Sequence, residues 1–130
     1  MNQIFRNKQY WEWIFINKRI CGAENEEKAA KYLTDRGYVI LERNFISCYG
    51  EIDIIAQDGR TLVFVEVKYR SSMKYGYPQE AVGYYKQQKL IKTARYYMYK
   101  RNIPDECSCR FDVVFIYGDD ISCIKNAFWI

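Results

Sequence analysis

Two consecutive apolar runs constrain the fold of this chain more than any other feature. They are Gly50-Glu51-Ile52-Asp53-Ile54-Ile55-Ala56 and Val63-Phe64-Val65-Glu66-Val67-Lys68, and Asp58-Gly59 lies between them. Their β-branched residues predict two strands. Asp-Gly between such runs favours a hairpin with a two-residue turn in which both turn residues have positive φ.

This turn predicts which residues of the two strands lie opposite each other. Counting from Asp58-Gly59 places Asp53 opposite Phe64 and Glu51 opposite Glu66, so Asp53 and Glu66 become diagonal neighbours roughly 7–8 Å apart on one face. Two carboxylates at this spacing can close around one divalent cation with ligand distances of about 2.1 Å. Lys68 follows one step further along the same face.

The alternative for Glu66 and Lys68 is an ordinary solvated strand face, because Glu-x-Lys is common on exposed strands. Two observations favour a site instead. Glu51 opposite Glu66 would be a destabilising like-charge pair unless a positive group lay between them. Asp is depleted in strands, yet Asp53 is surrounded by isoleucines. We therefore predict a carboxylate site at one end of these strands.

Composition limits the chemistry that is available. The chain has 130 residues, 49% of them hydrophobic, which predicts one folded domain. It contains no histidine, so Ser-His-Asp and Cys-His catalysis and histidine zinc sites are excluded. Five cysteines with irregular spacing argue against a disulfide framework and favour the cytoplasm. The net charge of +4 permits a polyanionic partner without requiring one.

A helix is predicted to begin after Asn25, which is a favourable N-cap residue, and to end at Gly37. Positions 26, 29, 30 and 33 have helical spacing, so Glu26 shares the apolar stripe of Leu33 and points toward the sheet. A glutamate on a core-facing stripe needs a partner. It could be a third acid of the site, or an acid that the helix dipole favours near the N-terminus.

The rest of the chain completes an α-β-β-β-α-β-β order. A strand begins at Tyr38 and runs toward Phe45, and residues 71–79 form a loop after the strand that carries Lys68. A long helix covers about residues 80–101, with an apolar stripe of Leu90, Ile91, Ala94, Tyr97 and Met98. Residues 110–116 and 121–124 read as a closing pair of strands.

Polar groups on the long helix have two predicted roles. Gln87 precedes the apolar stripe with helical spacing and lies on the buried side. Exposed positions carry basic and aromatic residues, which together can hold phosphates and stack bases, although a solvated lysine-rich face is an equal alternative. These residues are Tyr84, Tyr85, Lys86, Lys89, Lys92, Arg95, Tyr96, Tyr99 and Lys100.

The first twenty residues form a separate, aromatic-rich arm, followed by a domain over residues 21–130. Charged residues interrupt the arm and no small-residue cleavage site follows it, so we expect neither a signal peptide nor a membrane span. The arm could pack on the domain as an extra helix or bind a partner.

The helix glutamate, the strand aspartate and Glu-x-Lys in this order resemble the PD-(D/E)xK restriction-endonuclease-like superfamily and, within it, the archaeal Holliday-junction resolvases. The YraN-like family of predicted endonucleases is more similar still, over residues 22–127. The matching motifs are Gly22, Glu26, Arg43-Asn44, Gly50-Glu51-Ile52-Asp53, Val65-Glu66-Val67-Lys68, Arg70, Ala81-Val82, Lys86-Gln87, Leu90 and Arg110-Phe111-Asp112-Val113. The resemblance implies a restriction-endonuclease-like α/β fold with a central mixed sheet flanked by helices.

The resemblance also implies a metal-dependent endonuclease that hydrolyses phosphodiester bonds in structured or branched DNA. Asp53, Glu66 and the carbonyl of Val67 would bind Mg²⁺ or Mn²⁺, with Glu26 as a further acid; Glu24 is the alternative, since Asn25 stands where the family has Gly. Lys68 would position or deprotonate water and Gln87 would orient a phosphate or the lysine, giving a catalytic set of Glu26, Asp53, Glu66, Lys68 and Gln87. Arg70, Lys86 and Lys89 would contact the nucleic acid.

Two other functions stay open from the sequence. One is a nucleic-acid-binding module without turnover, and the other is an interaction protein that acts through its N-terminal arm. Resolvase-like members of the superfamily act as dimers, which implies self-association as a homodimer.

Overall fold

We analysed a computed structural model that describes residues 8–70 and 82–128, with side chains over residues 22–69 and 82–128. The predicted loop over residues 71–79 and the side chains of the N-terminal arm lie outside this part of the chain. The elements are α1 (Lys8–Asp35), β1 (Val39–Ser47), β2 (Gly50–Asp58), β3 (Thr61–Arg70), α2 (Tyr84–Lys100), β4 (Cys109–Tyr117) and β5 (Asp120–Phe128). The α-β-β-β-α-β-β order predicted from the sequence is confirmed.

The five strands form one mixed sheet in the order β1-β2-β3-β4-β5. Only β3 and β4 are parallel, and the other neighbours are antiparallel. Parallel neighbours need a crossover connection, and α2 lies within the one between β3 and β4. This α/β architecture is consistent with the restriction-endonuclease-like fold that was predicted.

The hairpin of β2 and β3 has a different turn from the one predicted. Asp58 pairs with Thr61 and Ile54 with Val65, so the turn residues are Gly59 and Arg60. Gly59 has a φ of 60°, whereas neither Asp58 nor Arg60 has a positive φ. The predicted pairings of Asp53 with Phe64 and Glu51 with Glu66 are therefore wrong by two residues. A shift of two keeps the side chains of the regularly paired residues 54–58 on their predicted faces.

Helix α1 corrects the prediction that a helix begins after Asn25. The helix runs without interruption from Lys8 to Asp35, and Asn25 is a buried interior residue. The predicted end is confirmed. Gly37 has a φ of 90° and its N–H donates to the Thr34 carbonyl, while the Tyr38 N–H donates to that of Leu33. These two bonds make a Schellman motif, in which glycine avoids the strain of a left-handed conformation.

Both faces of the sheet are covered. On one face, α1 packs Ala29, Ala30 and Leu33 against Val63, Val65 and Val114. On the other face, the predicted stripe of α2 is buried against Phe64 and Phe111. Strand β3 thus has apolar residues on both sides over its first half, as expected for a central strand. Within the described residues, no helix is both long and apolar enough to cross a membrane.

Candidate functional site

The candidate site lies where the apolar alternation of β2 and β3 gives way to charge. Phe64 belongs to the core under α2, and Glu66, two residues further on that face, is buried with 6% of its surface exposed. The Glu66 side chain has two cationic neighbours. The Nζ of Lys68 lies 3.4 Å from its Oε1, and the Nζ of Lys86 on α2 lies 3.6 Å from the same atom.

Asp53 reaches the same place from β2. Its Oδ2 accepts a hydrogen bond of 2.8 Å from the main-chain N–H of Val67, the residue between Glu66 and Lys68. Among the described residues this is the only donor to the Asp53 carboxylate. The strand is irregular here, because Ile52 packs in the same cluster as Ile55 although strict alternation would group it with Ile54. The predicted convergence of Asp53 with Glu66 and Lys68 is therefore present despite the different register.

The electrostatic state of Asp53 is unusual for an aspartate. The pKa of its side chain is raised from 3.8 to about 7. Burial is the largest cause of this rise, and the charge of Glu66 is the next. The hydrogen bond from Val67 opposes this shift, and the charges of Glu26 and Glu51 add to it. Perturbed carboxylates of this kind concentrate at functional sites.

The other predicted residues occupy different positions around this pair. Glu26 is half-buried on α1, close enough for its charge to act on Asp53, while Glu24 is exposed. Gln87 is half-buried, and its Nε2 donates a 2.9 Å hydrogen bond to the carbonyl of Val82 just before α2. Lys89 is exposed on α2. Arg70 is the last residue of β3, and its side chain lies outside the described part of the chain.

No three acidic or cysteine side chains within residues 22–69 and 82–128 converge on one point that could hold a metal ion. Asp53 and Glu66 form a pair of neighbouring carboxylates rather than such a group. Mg²⁺ is usually held by one or two protein carboxylates, with water and substrate phosphates completing its coordination. The pair is therefore compatible with Mg²⁺ or Mn²⁺ without a third direct ligand.

A second buried carboxylate, Asp112 on β4, has the opposite character. Its oxygens accept hydrogen bonds from Tyr38 Oη at 2.9 Å, Arg110 Nε at 3.0 Å, Arg110 Nη2 at 3.2 Å and the Asn126 N–H at 3.0 Å. Arg110 also donates to Asp58 at 2.7 Å. This network satisfies every member and ties β4 to β5 and to the hairpin turn. Sequence reasoning included Arg110 and Asp112 only in a family motif and missed their structural role.

Sequence reasoning also missed that Lys86 contacts Glu66, because a single sequence does not give the packing of α2 on β3. The helical spacing contained part of the signal. Lys86, Lys89 and Thr93 are separated by three and four residues, which places them on one flank of α2. That flank faces the start of β2, where a Cβ on Gly50 would lie 3.2 Å from Thr93 Oγ1 and 3.6 Å from the Cβ of Lys89.

Comparison with known proteins places these residues in a family. The model of the Uncharacterised protein family UPF0102 matches residues 25–116, a range that includes Asp53, Glu66, Lys68 and Asp112. A UPF0102 protein from Persephonella marina is 51% identical over 109 residues, covering 84% of this chain and 93% of the relative. One from Caldicellulosiruptor saccharolyticus is 49% identical over 119 residues, covering 87% of this chain and 100% of the relative.

A UPF0102 protein from Lachnoclostridium phytofermentans is 46% identical over 113 residues and covers 87% of this chain and 96% of the relative. The similarity thus extends over nearly the whole of each relative. The YraN-like resemblance is confirmed at the level of the family, and the chain belongs to the UPF0102, or YraN-like, family.

Proposed function

We propose that this protein is a Mg²⁺- or Mn²⁺-dependent endonuclease that hydrolyses phosphodiester bonds in structured or branched DNA. One observation carries the proposal: the half-buried Asp53 lies close to the buried Glu66, and Asp53 has a pKa raised by burial and by its acidic neighbours. A protein that needed only stability would avoid such a pair or neutralise it. A bound cation would remove the conflict.

The donor atoms suit a hard cation. Asp53 and Glu66 offer carboxylate oxygens and Val67 offers its carbonyl, while Glu26 would act through water. Oxygen ligands of this kind are those that Mg²⁺ and Mn²⁺ prefer. The chemistry that such a cation supplies is polarisation of a phosphoryl oxygen and a lower pKa for the attacking water.

The remaining groups have roles that follow from their positions. Lys68 lies 3.4 Å from Glu66 at the same strand end. Its ammonium group would position the attacking water and stabilise the negative charge that develops on the phosphate. Lys86, 3.6 Å from Glu66, and the exposed Lys89 would hold neighbouring phosphates. Gln87 would orient a phosphate, and Arg70 would contact the strand further from the site.

The test is cleavage of labelled single-stranded, duplex, flap and four-way-junction DNA by the purified protein in Mn²⁺ or Mg²⁺. We expect cleavage of the branched substrates by the wild type and loss of at least about a hundredfold in rate for Asp53→Asn, Glu66→Gln and Lys68→Ala. Asp35→Asn is the matched control, because Asp35 is an exposed acid on α1. Its rate should equal that of the wild type.

The variants also separate a nuclease from a binding module. Lys68→Ala should lose cleavage while DNA affinity changes by less than about tenfold, since Lys68 is one of several cations at the site. Cleavage that survives Asp53→Asn would show that another protein or another site is responsible. DNA binding without cleavage of any substrate in either metal would replace the nuclease with the non-catalytic module. Sedimentation of the wild type with and without junction DNA tests the predicted dimer.

A further inference from the structure

A cleft separate from the carboxylate pair lies between the β1–β2 turn and the outer surface of α2. It is lined by Tyr49, Lys92, Arg95, Tyr96 and Tyr99 and has a volume of about 510 Å³. Pockets that hold small organic groups have volumes of about 300–1,000 Å³. The cleft is therefore large enough for a nucleobase and its sugar.

Tyr96 forms a fixed aromatic wall of this cleft. Its ring stacks on Phe45 of the core with a centroid distance of 6.2 Å and an interplanar angle of 29°. Tyr49 lies against Tyr96 with a centroid distance of 5.8 Å. Tyr49 and Tyr99 expose 47% and 82% of their surfaces, so two rings are accessible beside one that is held by the core. Aromatic rings presented in this way are where unpaired bases stack.

The charge of α2 favours a polyanion as the occupant. Over Tyr84–Lys100 the helix has five cationic residues and no carboxylate. An ordinary solvated helix mixes both signs of charge along its exposed face. Lys92 and Arg95 line the cleft itself, so the aromatic rings and the phosphate-binding groups occur together.

The cleft and the carboxylate pair lie at successive positions along α2. Thr93 is seven residues after Lys86, which is close to two whole turns, and Tyr96, three residues further, lies about 80° around the helix from Lys86. Lys86 contacts Glu66, Thr93 packs beside Gly50, and Tyr96 borders the cleft. The helix rises about 15 Å from Lys86 to Tyr96, so a strand that joins the pair to the cleft spans at least about four stacked nucleotides.

We propose that this cleft binds an unpaired base of a single-stranded DNA segment at least about four nucleotides from the bond held at Asp53 and Glu66. The base stacks on Tyr49 and Tyr99 beside the fixed ring of Tyr96, and Lys92 and Arg95 bind the adjoining phosphates. The proposal rests on the proposed nuclease function for the position of the scissile bond. It restricts the substrate to DNA that has an unpaired strand next to the cleavage site.

Binding can be measured independently of cleavage. Fluorescence anisotropy in EDTA, with the Asp53→Asn protein as the parent, gives affinities for labelled oligo(dT) and for a blunt duplex of the same length. We expect the double variant Tyr49→Ala/Tyr99→Ala to bind oligo(dT) about 10- to 100-fold more weakly and the duplex less than about threefold more weakly. The control is Tyr117→Ala, because Tyr117 is an exposed tyrosine on β4 that does not line the cleft.

A 2-aminopurine base within the oligonucleotide gives a second readout. Its fluorescence should be quenched when it binds the parent and should recover in the Tyr49→Ala/Tyr99→Ala variant. Arg95→Gln provides a variant with intact rings and should reduce the salt dependence of oligo(dT) binding by about one unit of slope. Circular dichroism checks that all variants are folded.

The inference is overturned if oligo(dT) affinity is unchanged in the double tyrosine variant, if the duplex loses as much affinity, or if the control variant loses as much. Weak oligo(dT) binding by the parent itself would also overturn it. Because the parent is Asp53→Asn in EDTA, absence of nuclease activity leaves these results intact. Conversely, blunt-duplex cleavage by the wild type would support the proposed function even if the cleft bound no base.

Discussion

Replacing Asp53 by asparagine should stabilise the folded protein while it abolishes the proposed activity. The folded-state pKa of Asp53 is about 7, above its ordinary value of 3.8. Between these values the folded protein binds a proton that the unfolded chain does not, so the free energy of unfolding falls as pH rises from about 4 to 7. One pKa unit corresponds to about 1.36 kcal/mol, so ionisation of Asp53 costs the folded wild type about 4 kcal/mol at pH 8.

Asparagine has the same shape as aspartate and removes this cost. Its side-chain oxygen can still accept the hydrogen bond from Val67, which is 2.8 Å long in the wild type. We therefore expect the free energy of unfolding of Asp53→Asn to exceed that of the wild type by about 4 kcal/mol at pH 8. At pH 4.5 the wild-type side chain is protonated in the folded state, so the difference should be only about 1 kcal/mol.

The assay is urea unfolding at pH 4.5, 6 and 8 in EDTA, followed by circular dichroism, with the slope m checked for constancy. Asp35→Asn is the control. Asp35 is exposed and, within the part of the chain that the structure describes, pairs with Lys31 alone, so its loss should change the free energy of unfolding by less than about 1 kcal/mol at every pH. An Asp53→Asn protein that is less stable than the wild type at pH 8, or a difference that does not shrink toward pH 4.5, would refute the electrostatic argument.

Three further predictions concern other parts of the molecule. Asp112→Ala should lower the free energy of unfolding in urea by about 3–5 kcal/mol, because it leaves Arg110 without its buried partner. Gly50→Ala should lower it by about 1–3 kcal/mol, because the φ of 154° is strained for alanine and the new methyl group would lie 3.2 Å from a side-chain oxygen of α2. Iodoacetamide at pH 8 should alkylate exposed Cys48 well before Cys123, since burial raises the pKa of the Cys123 thiol to about 11.

Matched variants distinguish these causes. Asp58→Asn removes the charge of the half-buried partner of Arg110 and should cost less than about 1 kcal/mol, so an equal loss would contradict the role given to Asp112. Gly83 has an ordinary φ of −75° and open space around it, so Gly83→Ala should be nearly neutral. Equal effects at Gly50 and Gly83 would contradict the strain argument, and equal alkylation of the two cysteines by mass spectrometry would contradict the burial of Cys123.

The hairpin shows how much of the site the sequence could predict. The residue types and the period of two were enough to bring Asp53, Glu66 and Lys68 to one place, because a register error of two residues preserves the faces of the strands. The predicted position of the turn was wrong for a reason outside the local sequence. Asp58 bonds to Arg110 on β4 at 2.7 Å and remains in the strand, so the turn moves to Gly59 and Arg60.

The helix that precedes the sheet shows a similar limit. The stripe of Ala29, Ala30 and Leu33 and the end at Gly37 were predicted from spacing and from glycine chemistry, and both are confirmed. The predicted start was wrong. A residue suited to capping can equally lie inside a helix when it is buried, and Asn25 is buried at 7% exposure in the continuous helix α1.

Asp53 and Asp112 of this sheet show why one aspartate is a functional candidate and the other is not. In the sequence both are aspartates within apolar strands. Among the described residues, Asp112 accepts four hydrogen bonds, two of them from a guanidinium group, whereas Asp53 accepts one and has three acidic neighbours. A fold stabilises itself with the first arrangement and is destabilised by the second. The cost at Asp53 is what the proposed site predicts, because a cation with a phosphate would offset it.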